Sequence, residues 1–159
     1  MNFFEILEID PPKLSLDPLS LEKKFYELSR KLHPDHRGAD TEVLEKSAAL
    51  NGAYRALKEP WVRANYILKL KGVKLGSKLP PCLAPLYFEM QEVDDKQALM
   101  TLKEQLLKAK ELRAHQLTAT FRAYDESPEK TAEILKYIEE LVLENNYAAS
   151  MLRDLESKL

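Results

Sequence analysis

The sequence predicts an all-α protein, with four helices in its amino-terminal half followed by a three-helix carboxyl-terminal bundle. Three observations carry that prediction. Apolar residues recur at spacings of three and four, and no alternation of period two persists. Glycine is scarce, with 4 in 159 residues. Proline stands where helices start or stop and is rare in the last half of the chain, where only Pro128 follows Pro85.

The elements follow in order. Phe3-Phe4-Glu5-Ile6-Leu7 is a short apolar opening, and Pro11-Pro12 and Pro18 mark the loop after it. Asp17 or Ser20 supplies a cap for the second helix. That helix runs to about Leu32, because Pro34 pushes the residue before it out of the α region. Gly38-Ala39 is a loop, and Asp40 or Thr41 caps a third helix ending near Lys58. Pro60 suits the first turn of a fourth helix and Gly72 its C′ position. The stretch from Val73 to Pro85, with Gly76, Ser77 and Pro80-Pro81, reads as a linker. A shorter helical segment covers Leu86 to Val93. Ser127-Pro128 reads as an N-cap followed by N1, dividing the rest of the chain into two long helices. Ile134, Ile138, Leu141, Ala148, Leu152, Leu155 and Leu159 form a seam on the last helix, interrupted by Asn145. Leu99, Leu102, Leu106, Ala109, Leu117 and Phe121 supply the matching face upstream.

Composition excludes several functions. There is no run of about 18 apolar residues for a membrane span. The first residues lack the basic start and apolar stretch of a secretory signal, so a cytoplasmic protein is expected. One cysteine, Cys82, permits no internal disulfide and no multi-cysteine zinc site. No Ser/His/Asp or Cys/His arrangement and no phosphate loop is present, so no catalytic residue, cofactor or metal is expected. His33 and His36 are separated by Pro34 and lack further ligands. Net charge is −2. Residues 1–72 carry 12 basic and 11 acidic side chains, whereas the remainder carries 12 and 15. The acidic balance gives no reason to expect a nucleic-acid partner.

The second helix is the first candidate site. At roughly 100° per residue, Leu21, Phe25, Leu28 and Leu32 cluster on one side. Lys23, Lys24, Arg30 and Lys31 lie opposite, with Glu27 among them. His33-Pro34-Asp35 follows directly. Pro34 fixes φ and lacks an amide hydrogen, which stiffens the turn. Asp35, when ionised, accepts bidentate bonds from arginine.

A helix with a basic face, then His-Pro-Asp, then an amphipathic helix resembles the J domain. Asn2-Phe3-Phe4-Glu5-Ile6-Leu7 resembles that family's opening helix. Leu50-Asn51-Gly52-Ala53-Tyr54-Arg55-Ala56-Leu57 with Pro60 resembles its third helix and exit. Arg63-Ala64-Asn65-Tyr66 resembles its Lys-Arg-Ala-x-Tyr stretch, with Val62 in place of the Lys. No Gly/Phe-rich linker and no CxxCxGxG repeat is present. The layout, and the run Arg63 to Gly72, resemble HscB, the J-type co-chaperone of iron–sulfur cluster biogenesis, in its bacterial form. The resemblance implies a J domain at 1–74, a linker at 75–85 and a client-binding bundle at 86–159.

It implies two docking faces and no reaction of the chain's own. His33, Pro34, Asp35, Lys23, Lys24, Arg30 and Lys31 would dock on an HscA/DnaK-class chaperone and stimulate its ATPase. Leu86-Tyr87-Phe88-Glu89-Met90-Gln91-Glu92-Val93 resembles the surface that holds the scaffold IscU. The contact positions would be Tyr87, Phe88, Gln91, Glu92 and Asp95, with Tyr147 from the last helix; Gln91 stands where an apolar residue is usual. Leu86, Met90 and Val93 have core spacing. Tyr87 and Phe88 point about 100° apart, so at least one must leave that core. The alternative is a J-domain adaptor whose bundle recruits another client.

Overall fold

The computed structural model describes residues 1–32 and 40–159. His33, Pro34 and Asp35, with the expected loop up to Ala39, lie outside the described residues. Seven α-helices are described, and no strand occurs among the described residues: α1 (Phe3–Ile6), α2 (Pro18–Leu32), α3 (Thr41–Lys58), α4 (Pro60–Leu70), α5 (Ala84–Glu92), α6 (Lys96–Glu126) and α7 (Thr131–Lys158).

Their ends follow local chemistry. Asn2 and Glu5 form a reciprocal capping box on α1, with Glu5 N–H donating to Asn2 Oδ1 at 2.9 Å. Asp17 takes the capping role on α2, accepting from the Ser20 N–H at 3.0 Å and from its hydroxyl at 2.7 Å. Asp40 caps α3, and Glu59 caps α4 through both carboxylate oxygens, with Pro60 inside the first turn. Gly72 takes φ +73° just beyond α4, and the Val73 amide reaches back to the Leu68 carbonyl at 2.8 Å. That Schellman arrangement needs a left-handed residue, which glycine supplies without a Cβ clash.

Three expectations are corrected. Ser127 makes no side-chain cap; a single 3₁₀ turn, Pro128–Lys130, intervenes before α7, and the Thr131 hydroxyl donates to the Pro128 carbonyl at 2.7 Å. Leu159, placed on the α7 seam, is exposed at the helix end. Helix α5 begins at Ala84, inside the stretch expected to be linker.

Packing does not divide at the linker. One apolar cluster joins Phe4, Leu7, Leu50, Ala53, Leu57, Ile67 and Leu68 to Leu117, Phe121, Ile134, Ile138, Leu141 and Val142. The α6–α7 hairpin therefore completes the core of the amino-terminal half with one end. Its other end forms a second cluster of Leu99, Leu102, Leu106, Ala148, Met151, Leu152 and Leu155, closed by Leu83 and Met90. Fully burying each large apolar side chain contributes about 1.5–3 kcal/mol.

Polar bonds fix the loops to this frame. Asp125 on α6 accepts the Leu14 and Ser15 amides, each at 2.8 Å. Glu139 on α7 accepts the Gly76 amide at 3.1 Å. The Tyr147 hydroxyl donates to the Ser77 carbonyl. Lys158 Nζ donates to the Met90 carbonyl at 3.0 Å, holding the end of α5 against the end of α7.

Candidate functional site

Helix α2 leans on α3 through Leu21, with Phe25 stacked on Tyr54 at 4.3 Å. This leaves a continuous outer stripe. Leu19, Lys23, Tyr26 and Arg30 follow spacings of four, three and four, so they line one side of the helix. Leu19 is 75% exposed and Tyr26 52%; Lys23 and Arg30 are exposed as well. The stripe pairs two cations with two apolar surfaces. Sequence reasoning missed Leu19 and Tyr26, although their spacing to Lys23 and Arg30 was the available signal.

The basic side expected as a single face is split. Lys24 is half-buried, and its ammonium meets Glu8 at 2.7 Å. The reason lies in the turn after α1, where Glu8 adopts φ 56° and its carboxylate meets α2. The hydrogen bond from Lys24 holds the Glu8 carboxyl below its ordinary range and raises the Lys24 ammonium in return. Lys31, one wheel position away from Lys24, lines a shallow groove with Glu5 and Glu8. Lys23 and Arg30 on the outer stripe, and Lys31 beside the groove, are thus the exposed cations of α2 without an ion pair among the described residues. Arg30 Nε makes only a long bond, 3.4 Å, to the Tyr26 carbonyl.

Helix α5 carries the second candidate face. Met90 is 1% exposed and anchors the helix in the second cluster, while Leu86, Tyr87 and Val93 pack partly against it. Phe88 is 60% exposed. Its ring sits edge-on to Tyr87, with centroids 5.7 Å apart and planes at 80°. Gln91 and Glu92 are exposed beside it. Asp95 is exposed too, but its carboxylate caps α6 by accepting the Ala98 amide at 3.1 Å. Tyr147 packs its ring on the second cluster and spends its hydroxyl on Ser77. Phe88, Gln91 and Glu92 therefore form a compact patch, whereas Asp95 and Tyr147 have positions fixed by bonds to the frame.

An unforeseen polar group lies between the two apolar clusters. Arg113 Nε donates to Glu144 Oε2 at 2.9 Å, and Arg113 Nη2 to the Cys82 sulfur at 3.2 Å. The Cys82 thiol donates to Glu144 Oε1 at 3.3 Å. Burial pushes the thiol above its ordinary range, partly offset by the Arg113 bond. A charge in the run Leu99, Leu102, Leu106, Ala109, Arg113 was the sequence signal for this layer.

Helix α2 packs against α3, which also carries α1, and this amino-terminal unit is a J domain. Residues 2–66 match the DnaJ domain family. The chain is similar to the co-chaperone protein HscB homolog of Shewanella oneidensis, 32% identical over 111 residues, which cover 67% of this chain and 63% of that relative. It is similarly related to the Vibrio vulnificus homolog, 32% identical over 111 residues, covering 67% and 60%. The matched stretch thus spans less than two thirds of the length of either relative. The fold resembles that of chaperone HscB from Vibrio cholerae, with a TM-score of 0.65 and 22% identity over 99% of this chain and 96% of that one. The chain belongs to the HscB-type J-domain proteins. No described helix is long and apolar enough to cross a membrane.

Proposed function

We propose that the chain is a cytoplasmic co-chaperone that stimulates the ATPase of an HscA/DnaK-class chaperone and delivers an IscU-like iron–sulfur scaffold to it. The observation that carries this reading is the pair of separate outward faces held on one helical frame by two apolar clusters. The α2 stripe offers two unpaired cations flanked by Leu19 and Tyr26. Partial burial of such apolar neighbours strengthens an electrostatic contact by excluding water. His33-Pro34-Asp35 follows this stripe in sequence, and Asp35 supplies an acceptor for a partner arginine. Hydrolysis belongs to the partner, whose conformational equilibrium this chain shifts by binding one state better.

The α5 patch supports the delivery step. Phe88 is an aromatic anchor beside Gln91 and Glu92, on a helix whose inner face is immobilised by Met90. Rigid aromatic anchors rimmed by polar groups are the usual centres of binding energy. The names of the relatives, which are HscB co-chaperones, support the co-chaperone part of this reading.

The test measures steady-state ATP hydrolysis by an HscA-type chaperone with the full chain and an iron–sulfur scaffold protein present. Synergistic stimulation by chain and scaffold together is expected. Stimulation by the chain without any effect or binding of the scaffold would assign the α5 patch to a different client. No stimulation would overturn the co-chaperone reading.

A further inference from the structure

Arg63 of α4 is 5% exposed yet has no carboxylate within ion-pair distance among the described residues. Its Nε donates to the Leu57 carbonyl at 2.7 Å and Nη1 to the Leu14 carbonyl at 2.8 Å. Its plane rides over the Phe121 ring, 5.3 Å from the centroid. Nη2, with two N–H groups, donates to no described residue. The carboxylates whose charge reaches Arg63 are Glu59 and Asp125, and both are engaged by backbone amides: Trp61 and Val62 for Glu59, Leu14 and Ser15 for Asp125. Nη2 keeps contact with solvent, so an anion that reaches it gains a charge-assisted bond to a guanidinium already held by its other two nitrogens.

Arg63 lines a pocket of about 440 Å³ at the junction of α4, α6 and the loop before α2. Lys58 and Arg122 stand at its wall with Ser15 and Thr118. Among the described residues Lys58 is engaged only by the face of Tyr54, 5.4 Å from its centroid, and Arg122 makes no ion pair. Asp17 also lines the pocket, but its carboxylate is bonded to Ser20. The lining thus holds three cations against one carboxylate that is already engaged.

We propose that this junction pocket binds an oxyanion, phosphate or carboxylate, through Arg63 Nη2 with Lys58 and Arg122. The ion would bridge α4 to α6 at the seam between the two halves of the chain. Its source is either free phosphate or a carboxylate presented by another protein, since both offer paired oxygens to a guanidinium.

The experiment titrates the ¹⁵N-labelled full chain with inorganic phosphate, sodium acetate and sodium chloride at matched ionic strength, following the Arg63 Nε–H signal. A saturable shift with phosphate or acetate that chloride does not produce is expected. Saturation by phosphate alone assigns the free ion; saturation by acetate assigns a protein carboxylate. The K58Q/R122Q double variant, altered only at the pocket wall and checked by circular dichroism, should bind roughly tenfold more weakly. Equal shifts with chloride, or undiminished affinity in the double variant, would overturn the proposal.

Discussion

Arg113 on α6 and Glu144 on α7 meet at 2.9 Å, at the level where one apolar cluster ends and the other begins. Their side chains are only 11% and 22% exposed, so the pair is partly desolvated and water screens it weakly. Removing one partner leaves the other charge with poor solvation. Glu144→Ala should therefore destabilise the fold by about 2 kcal/mol, read as a lower urea midpoint with an unchanged slope. The double variant R113M/E144L, which replaces both charges by apolar side chains, should recover most of that loss.

Next to this pair, Asn145 is buried, and its Oδ1 accepts no hydrogen bond from any described residue. An unsatisfied buried amide costs about 1–3 kcal/mol. Asn145→Leu, similar in volume, should raise the urea midpoint, corresponding to about 1 kcal/mol. A lowered midpoint would mean that the carbonyl is bonded in solution.

On α2, the split between the outward stripe and the Glu8-bound lysine makes the cations unequal. Lys23→Glu with Arg30→Glu should reduce ATPase stimulation by roughly tenfold or more and flatten its dependence on salt. Lys24→Gln should alter stimulation less, because that ammonium already has a partner. Asp35→Asn should abolish stimulation while circular dichroism and melting stay the same. Normal stimulation by the Asn variant would remove the motif from the mechanism.

Two neighbours on α5 should separate binding from folding. Phe88→Ala should weaken scaffold binding by roughly tenfold in titration calorimetry, with little change in melting, since its ring faces solvent. Met90→Ala should lose about 2–4 kcal/mol of stability through the cavity it leaves. Equal effects of both on melting would make the patch structural.

The Cys82 thiol titrates above its ordinary range because burial disfavours the thiolate. Iodoacetamide should thus modify it more slowly than an unstructured cysteine near pH 8. The native state holds this proton more tightly than the unfolded chain does. The stability linked to it is present below the ordinary thiol pKa and declines as pH rises from there to the raised native value.

Much of the molecule was legible before folding. Helix starts and stops rest on local chemistry, so Asp40, Pro60 and Gly72 announced their roles within a few residues of the bonds they make. The seam from Ile134 to Leu155 was equally readable, because helical periodicity places those side chains on one face whatever lies opposite. The candidate faces on α2 and α5 were legible only in part. Phe88 left the core as geometry required, but the sequence did not say that Lys24 would be taken by Glu8, or that Leu19 and Tyr26 would stay bare.

Alone, the sequence determined an all-α chain with a basic second helix, a His-Pro-Asp motif and an aromatic segment before a long hairpin. Tertiary structure decided which charges are free, which are bound and which are buried. It joined Asp125 to Leu14 across 111 positions and seated Arg63 over the Phe121 ring. The physical reason is range. Caps and periodicity act over one or two turns, whereas an ion pair or a buried guanidinium depends on where distant helices cross, which no local pattern encodes.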